Sequence, residues 1–335
     1  MKSTIINLHR RDVQNLGDML SAPCQYFPED FPDVTYKDIF NRDYDSTQSH
    51  TADVLIVGGG AMLATKVSKK WWAWLVTHHK WIKPEVTICW GVGCDADLAA
   101  WPHRFKFKLA GIRHKVRMPR ANYIYTPDAS VMNKEFDWTF SGNNKKDILF
   151  VSHPSRNMIE LYNFIKKRRP NLTLDHRLNR FESIEQYLDL ISNYKLIVSA
   201  CYHPALWALW AGKSVMTINN YPTHHEVDRN YTKDPNGDMR CWKLANMTPD
   251  CRNTKYGKLF NALTDLDVTQ EQFKLDDPKR WIIESRQQVI DFKDQTLEII
   301  KIKLSNKIKP TNGMNPDIIS VIRYLIFIFA LHPEH

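Results

Sequence analysis

The sequence predicts an α/β fold built on mostly parallel sheets, on three observations. Short apolar runs recur with helix-length segments between them, the spacing of βαβ units. A polar stretch, Ser141-Gly142-Asn143-Asn144-Lys145-Lys146, interrupts this alternation, which then restarts. From Pro278 onward the pattern is helical. At 335 residues the chain is too long for most single cores. The predicted organisation is an α/β unit over 1–142, a second over 143–277, and a helical segment over 278–335 that packs back across both.

The first strand covers residues 4–8. After a short loop comes Asn15-Leu16-Gly17-Asp18, where Gly17 allows close backbone approach and Asp18 either caps the next helix or serves as a base. A strand over 52–57 runs directly into Gly58-Gly59-Gly60, and one over 86–90 into Gly91-Val92-Gly93. Glycines at strand ends admit a ligand to the backbone, although tight strand-to-helix packing asks for the same residues. A strand over 123–125 ends in Thr126-Pro127-Asp128-Ala129-Ser130.

In the second unit a strand over 147–153 precedes a helix over 158–168 that stops before Pro170. A helix over 184–192 leads into the apolar run Leu196-Ile197-Val198. That strand closes in Ser199, a helix starts at once with Tyr202-His203-Pro204, and Gly212 stops it before a strand over 214–218. His203 thus falls at the carboxyl end of a parallel strand and at a helix start, where unpaired N–H groups and the helix dipole favour anions. A helix-capping or core histidine is the alternative. A loop over 219–237, rich in His, Asp, Asn and Pro, follows, and a long amphipathic helix covers 281–306.

Hydrophobic residues at 43% and charged residues at 25% place the chain among soluble globular proteins and exclude a disordered one. The N-terminus has no signal-peptide pattern, so a cytoplasmic location, host cytoplasm for a viral protein, is expected. The six cysteines form no Cys-x-x-Cys pair and suit reduced thiols; no metal site is expected, since His224, His225 and Glu226 lack a spaced third ligand. The sequons at Asn171, Asn230 and Asn246 are then expected to carry no glycan. An apolar stretch over 318–331, interrupted by Arg323, is too short to span a bilayer; it reads as a docked terminal helix or a membrane-surface contact.

The net charge of +9 is concentrated. Between Lys66 and Arg120 stand twelve Lys or Arg against three acids, an excess equal to that of the whole chain. The same window holds six of the eleven tryptophans, and basic side chains interleaved with aromatics suit a phosphate backbone with bases to stack. Lys66, Lys69, Lys70, Lys106, Lys108, Arg113, Lys115, Arg117 and Arg120 are the candidate nucleic-acid contacts. A solvated lysine-rich face with core tryptophans is the competing explanation.

The order Asn15-x-Gly17-Asp18, Gly58-Gly59-Gly60, Gly91-x-Gly93, Arg113, Pro127-x-Ala129-Ser130 and Ser199-x-x-x-His203 resembles the polysaccharide pyruvyl transferase superfamily and its glycosyltransferase-like relatives, over about residues 4–220. The resemblance implies a GT-B-like fold: two Rossmann-like domains with parallel sheets facing a central cleft, the second holding an activated donor and the first supplying acceptor site and base. Two departures stand out. Cys201 occupies the place where relatives carry an arginine two residues before the histidine, and Arg113 is followed by His114 in place of an aspartate. Loss of a carboxylate-binding arginine counts against phosphoenolpyruvate and leaves a nucleotide sugar, a UDP-sugar above others, as donor.

On this reading Asp18 or Asp128 is the base, and His203, Arg156 and Lys213 offset the leaving diphosphate. His153, Ser199 and Tyr202 line the donor site, and Glu226 accepts the ribose hydroxyls. No tightly bound cofactor is expected. The expected acceptor is a polyanion, with hydroxymethylated cytosine in bacteriophage DNA first, reached by base flipping. A pyruvyl or glycosyl transferase of cell-surface polysaccharide, and a non-catalytic nucleic-acid-binding protein on a transferase fold, are the rivals.

Overall fold

The computed structural model describes residues 4–11, 15–39, 52–60, 75–80, 82–93, 107–113, 121–137, 144–152, 159–168, 170–199, 201–217 and 274–305. They form a mixed α/β fold with two parallel sheets. The strands of the first are β1 Ile5–His9, β2 Val34–Asp38, β3 Val54–Gly58, β4 Val86–Val92, β5 Leu109–Ile112 and β6 Tyr123–Tyr125, in the order β2-β1-β3-β4-β5-β6. The second comprises β7 Lys146–Ser152, β8 Leu174–Leu178, β9 Tyr194–Ser199 and β10 Ser214–Thr217, in the order β10-β9-β7-β8. Every neighbouring pair is parallel. Central strands β3 and β4 are buried along their whole length, as parallel strands covered on both faces must be, and this is why they read as uninterrupted apolar runs.

Helices among the described residues include α1 Leu16–Leu20, α2 Ile159–Arg168, α3 Ile184–Ser192, α4 Tyr202–Trp210 and α5 Pro278–Ser305. The Ser183 hydroxyl caps α3, accepting from Gln186 N–H at 3.1 Å. All nine residues of α4 are buried, so this helix has no polar face to give to solvent. Helix α5 turns Trp281, Ile282, Val289, Phe292 and Ile300 inward; the Phe292 ring lies 5.3 Å from that of Trp90 in β4. Arg286 of α5 donates to the carbonyls of Val131 and Asn133, both at 2.9 Å, and pairs with Asp137. Lys293 reaches Asp30 at 2.9 Å. Helix α5 therefore packs on loops of the first sheet as well as on α4, and one apolar cluster runs from β3 and β4 through α5 to α4 and β9.

Strands β2, β5 and β8 are absent from the sequence reading. The edge strands β2 (VTYKD) and β8 (LDHRL) are mostly polar, three residues of β8 in a row, and show no apolar run. In β5 the run has four residues and contains Gly111, against which Thr126 and Phe292 pack so closely that a Cβ would lie 2.3 and 2.7 Å from them. Strand β4 runs on through Gly91 and Val92, two residues past its expected end. Among the described residues no helix is long and apolar enough to cross a membrane; residues 318–331 lie outside them. Cys24, Cys89 and Cys201 are buried free thiols, and no described group of His, Cys, Asp and Glu could hold a metal ion.

Candidate functional site

The residues that follow the carboxyl ends of β5 and β6 in one sheet meet those that follow β9 in the other. Arg113 comes directly after β5, Asp128 three residues after β6, and His203 in the first turn of α4. Arg113 Nη1 lies 2.5 Å from Asp128 Oδ2 and 3.3 Å from His203 Nε2, and His203 Nε2 lies 3.2 Å from the same carboxylate oxygen. These side chains are at most 5% exposed. The other Asp128 oxygen accepts the Ser130 N–H at 3.0 Å, which caps the short helical turn Ala129–Met132. Burial alone would raise the Asp128 carboxyl; His203, Arg113 and the Ser130 N–H outweigh it and hold the group well below its ordinary value.

The Arg113 guanidinium also stacks on the Tyr202 ring, 3.9 Å from its centroid. Burial pushes the Tyr202 hydroxyl upward against the pull of Arg113. Among the described residues Nη1 is the guanidinium nitrogen with hydrogen-bonding partners, and Nε and Nη2 meet none there.

Helix α1 closes the other side. Its Gly17 sits so near His203 that a Cβ there would lie 2.1 Å from the ring Nδ1, so no larger residue fits. Asn15, at the N-cap position, makes no capping bond; its Nδ2 donates to Asp18 Oδ2 at 2.8 Å, and its Oδ1 accepts from Asn179 Nδ2 at 3.5 Å. Asp18 Oδ1 has no hydrogen-bonding partner among the described residues and faces Gly60, whose φ of 69° is a left-handed value that suits glycine. Gly60 N–H donates to Ser21 Oγ at 3.2 Å and Gly60 O accepts Gly93 N–H at 2.8 Å, which ties the two glycine turns together. Gly58 ends β3 against Pro23 and Gly59 follows it against Ser21, while Gly91 lies in β4 against the Pro127 carbonyl.

Asn15, Gly17, Asp18, Gly60, Arg113, Asp128, Tyr202 and His203 are thus brought together, and four expectations need correction. Arg113 is buried in an ion pair, which removes it from the set of exposed phosphate contacts. Asp128 has both oxygens engaged and a stabilised charge, a poor proton acceptor for a bound hydroxyl. Ser199 Oγ accepts from Cys201 N–H and donates to Cys201 O, both at 3.0 Å, so the turn into α4 consumes it. Lys213 precedes β10 at the amino edge of its sheet, opposite the carboxyl ends, and donates to Asn144, Ser192 and Tyr194. Lys108 is exposed at the amino end of β5, likewise away from the cluster. His153, Arg156, Glu226, Lys66, Lys69, Lys70, Lys106, Lys115, Arg117 and Arg120 lie outside the described residues.

The sequence reading misses Asn179, at the end of β8, and Trp207, on α4. Asn179 follows a strand with no apolar signal. Trp207 had a usable one: it stands four residues after His203 on one helix face.

No family model matches the chain, and no curated protein matches it. Among solved structures, an uncharacterized protein of Klebsiella pneumoniae subsp. pneumoniae is similar over 70% of this chain and 89% of its own, at 16% identity and a TM-score of 0.40. The likeness to pyruvyl transferases accordingly rests on the motifs alone.

Proposed function

We propose that the protein is a GT-B-type glycosyltransferase that moves a sugar from a nucleotide diphosphate, a UDP-sugar first, to a hydroxyl of a polyanionic acceptor. The observation that carries this is the buried Arg113–Asp128–His203 cluster where carboxyl ends of two parallel sheets meet, beside turns rich in glycine. In open α/β sheets this edge is where anionic ligands bind. The acceptor oxygen bonds to the anomeric carbon, the bond from that carbon to the diphosphate breaks with its electron pair on the leaving oxygen, and the hydroxyl proton passes to a base. Asp18 serves as that base, because one of its oxygens is held by Asn15 and the other has no hydrogen-bonding partner among the described residues. Arg113, whose Nε and Nη2 have no partner among the described residues, takes the part first given to Lys213 and offsets charge on the leaving group beside His203. Asp128 orients His203 and balances Arg113.

The acceptor rests on charge: the excess of nine between Lys66 and Arg120 and its interleaved tryptophans favour DNA carrying hydroxymethylated cytosine, in a bacteriophage setting. One observation favours the second reading, a pyruvyl transfer to polysaccharide. Arg113 brings a guanidinium to His203 from the first sheet, which restores carboxylate-binding chemistry despite Cys201. Incubating the protein with hydroxymethylated duplex DNA and a panel of nucleotide sugars, with phosphoenolpyruvate and a polysaccharide acceptor in parallel, separates the two. Released nucleotide that depends on DNA, and DNA binding that falls steeply with salt, support the first. Release of phosphate from phosphoenolpyruvate, with no DNA binding at about 50 mM salt, replaces it with the second.

A further inference from the structure

We infer that Trp207 and Ser130 are positioning residues for the His203–Asp128 pair, a role that rests on the glycosyltransferase reading above. Trp207 Nε1 donates to Ser130 Oγ at 3.0 Å, with both residues fully buried. Ser130 N–H donates to Asp128 Oδ1 at 3.0 Å, and Asp128 Oδ2 lies 3.2 Å from His203 Nε2. His203 and Trp207 are four apart on α4 and so share a face, with ring centroids 5.6 Å apart. The contacts close a ring: α4 is bound at two points one turn apart to the segment Asp128–Ser130, once through the histidine and once through the indole. Two points fix both the height and the rotation of α4 against the carboxylate, whereas one would leave the helix free to pivot about His203.

The indole bond is not a general requirement of this core. Trp90 Nε1 and Trp210 Nε1 are buried with no hydrogen-bonding partner among the described residues, so packing alone holds those indoles there. Tyr187 supplies a third hold, its hydroxyl donating to Pro204 O one residue past His203 from the α3 side. Helix α4 is thus restrained by polar contacts on both flanks at the level where the histidine emerges, although its surroundings are otherwise apolar.

The test separates holding the fold from placing the histidine. Trp207→Phe and Ser130→Ala each leave one buried polar group unsatisfied, whereas the double variant removes both partners together. Each single variant is expected to lower the unfolding midpoint in urea, and the double variant to recover most of that loss. Turnover is expected to stay at least tenfold down in all three, with the KM for the nucleotide sugar little changed. A double variant with wild-type turnover would overturn the inference, since the pair would then be structural only. A readout free of activity covers failure of the functional reading itself: the ring 15N resonances of His203, identified by their loss in His203→Gln. These are expected to move or broaden in the double variant, and unchanged resonances overturn the positioning role whether or not any donor is turned over.

Discussion

Arg113 and Lys213 are both buried cations, 3% and 5% exposed, yet they stand at opposite edges of their sheets and are satisfied by opposite means. Arg113, at the carboxyl edge, is balanced by a carboxylate, and its Nε and Nη2 have no partner among the described residues. Lys213, at the amino edge, gives its three N–H groups to Asn144 Oδ1 at 3.0 Å, Ser192 O at 2.9 Å and Tyr194 O at 3.2 Å. Ser192 is the last residue of α3, so the ammonium occupies the place where a helix end favours positive charge and carbonyls lack partners. A lysine with every donor consumed by the backbone and an amide has a structural role. An arginine paired with one carboxylate beside a histidine and a glycine-lined turn, with two nitrogens unpartnered among the described residues, is satisfied in a different way. The burial of a cation carries less information than what it leaves unbonded.

The largest effect should come from breaking the charge balance at the carboxyl edge. Asp128→Ala strands Arg113 as an uncompensated buried charge, and losing one partner of such a pair typically costs about 3–5 kcal/mol. Urea unfolding measures it. A loss under about 1 kcal/mol would mean that solvent reaches the guanidinium, and the contrast with Lys213 would collapse. Lys213→Met should come next: it leaves two carbonyls and an amide oxygen short of a donor at about 1–3 kcal/mol in total, with donor affinity unchanged. Weakened nucleotide binding in that variant would return Lys213 to the site and erase the distinction.

Titration should sharpen the same comparison, since the two groups respond at opposite ends of the pH scale. Asp128 has its folded carboxyl below the ordinary 3.8, so its contribution is present above that value and is lost as pH falls beneath it. Lys213 has its folded ammonium below the ordinary 10.5, chiefly through burial and secondarily through Lys274. The unfolded chain then binds more protons than the folded one as pH nears 10.5, and stability conferred through this residue rises with pH in that range. Comparing wild type with Lys213→Met from pH 8 to about 10.5 isolates the effect: their difference in unfolding free energy should widen as pH rises. A constant difference would mean that the ammonium is not desolvated.

The elements the sequence revealed are those whose signal is local. Central strands β3 and β4, with both faces covered, announce themselves as apolar runs, and α3 covers the 184–192 expected of it. Strands β2 and β8 owe their form to a partner strand, because their own residues are mostly polar at sheet edges. The site divides in the same way. Gly17, Gly60 and His203 were legible because a turn or helix start demands unusual residues at a strand end. That Asp128 faces inward onto Arg113, or that Lys213 lies at the far edge, is decided by which end of a strand a residue occupies after the sheet assembles. Residues 113, 128 and 203 converge only through contacts between segments distant in sequence.

The smallest effect belongs to a third cation at the same amino edge as Lys213. Lys195 Nζ lies 2.8 Å from Asp147 Oδ1, and together with Thr173 it holds that carboxyl well below its usual range. By distance alone this pair matches the contacts of Lys213. Its lysine side chain, however, is 61% exposed, and ion pairs in water exchange solvation for a contact of nearly equal worth while ordering a long side chain. Lys195→Gln should therefore leave the unfolding midpoint unchanged within error at ordinary salt. Raising salt should narrow whatever difference exists, because exposed charges are screened whereas the Lys213 contacts are sheltered. A destabilisation as large as that of Lys213→Met would mean that the lysines of this edge act as one coupled network, and Lys213 could no longer be treated as an independent clamp on the end of α3.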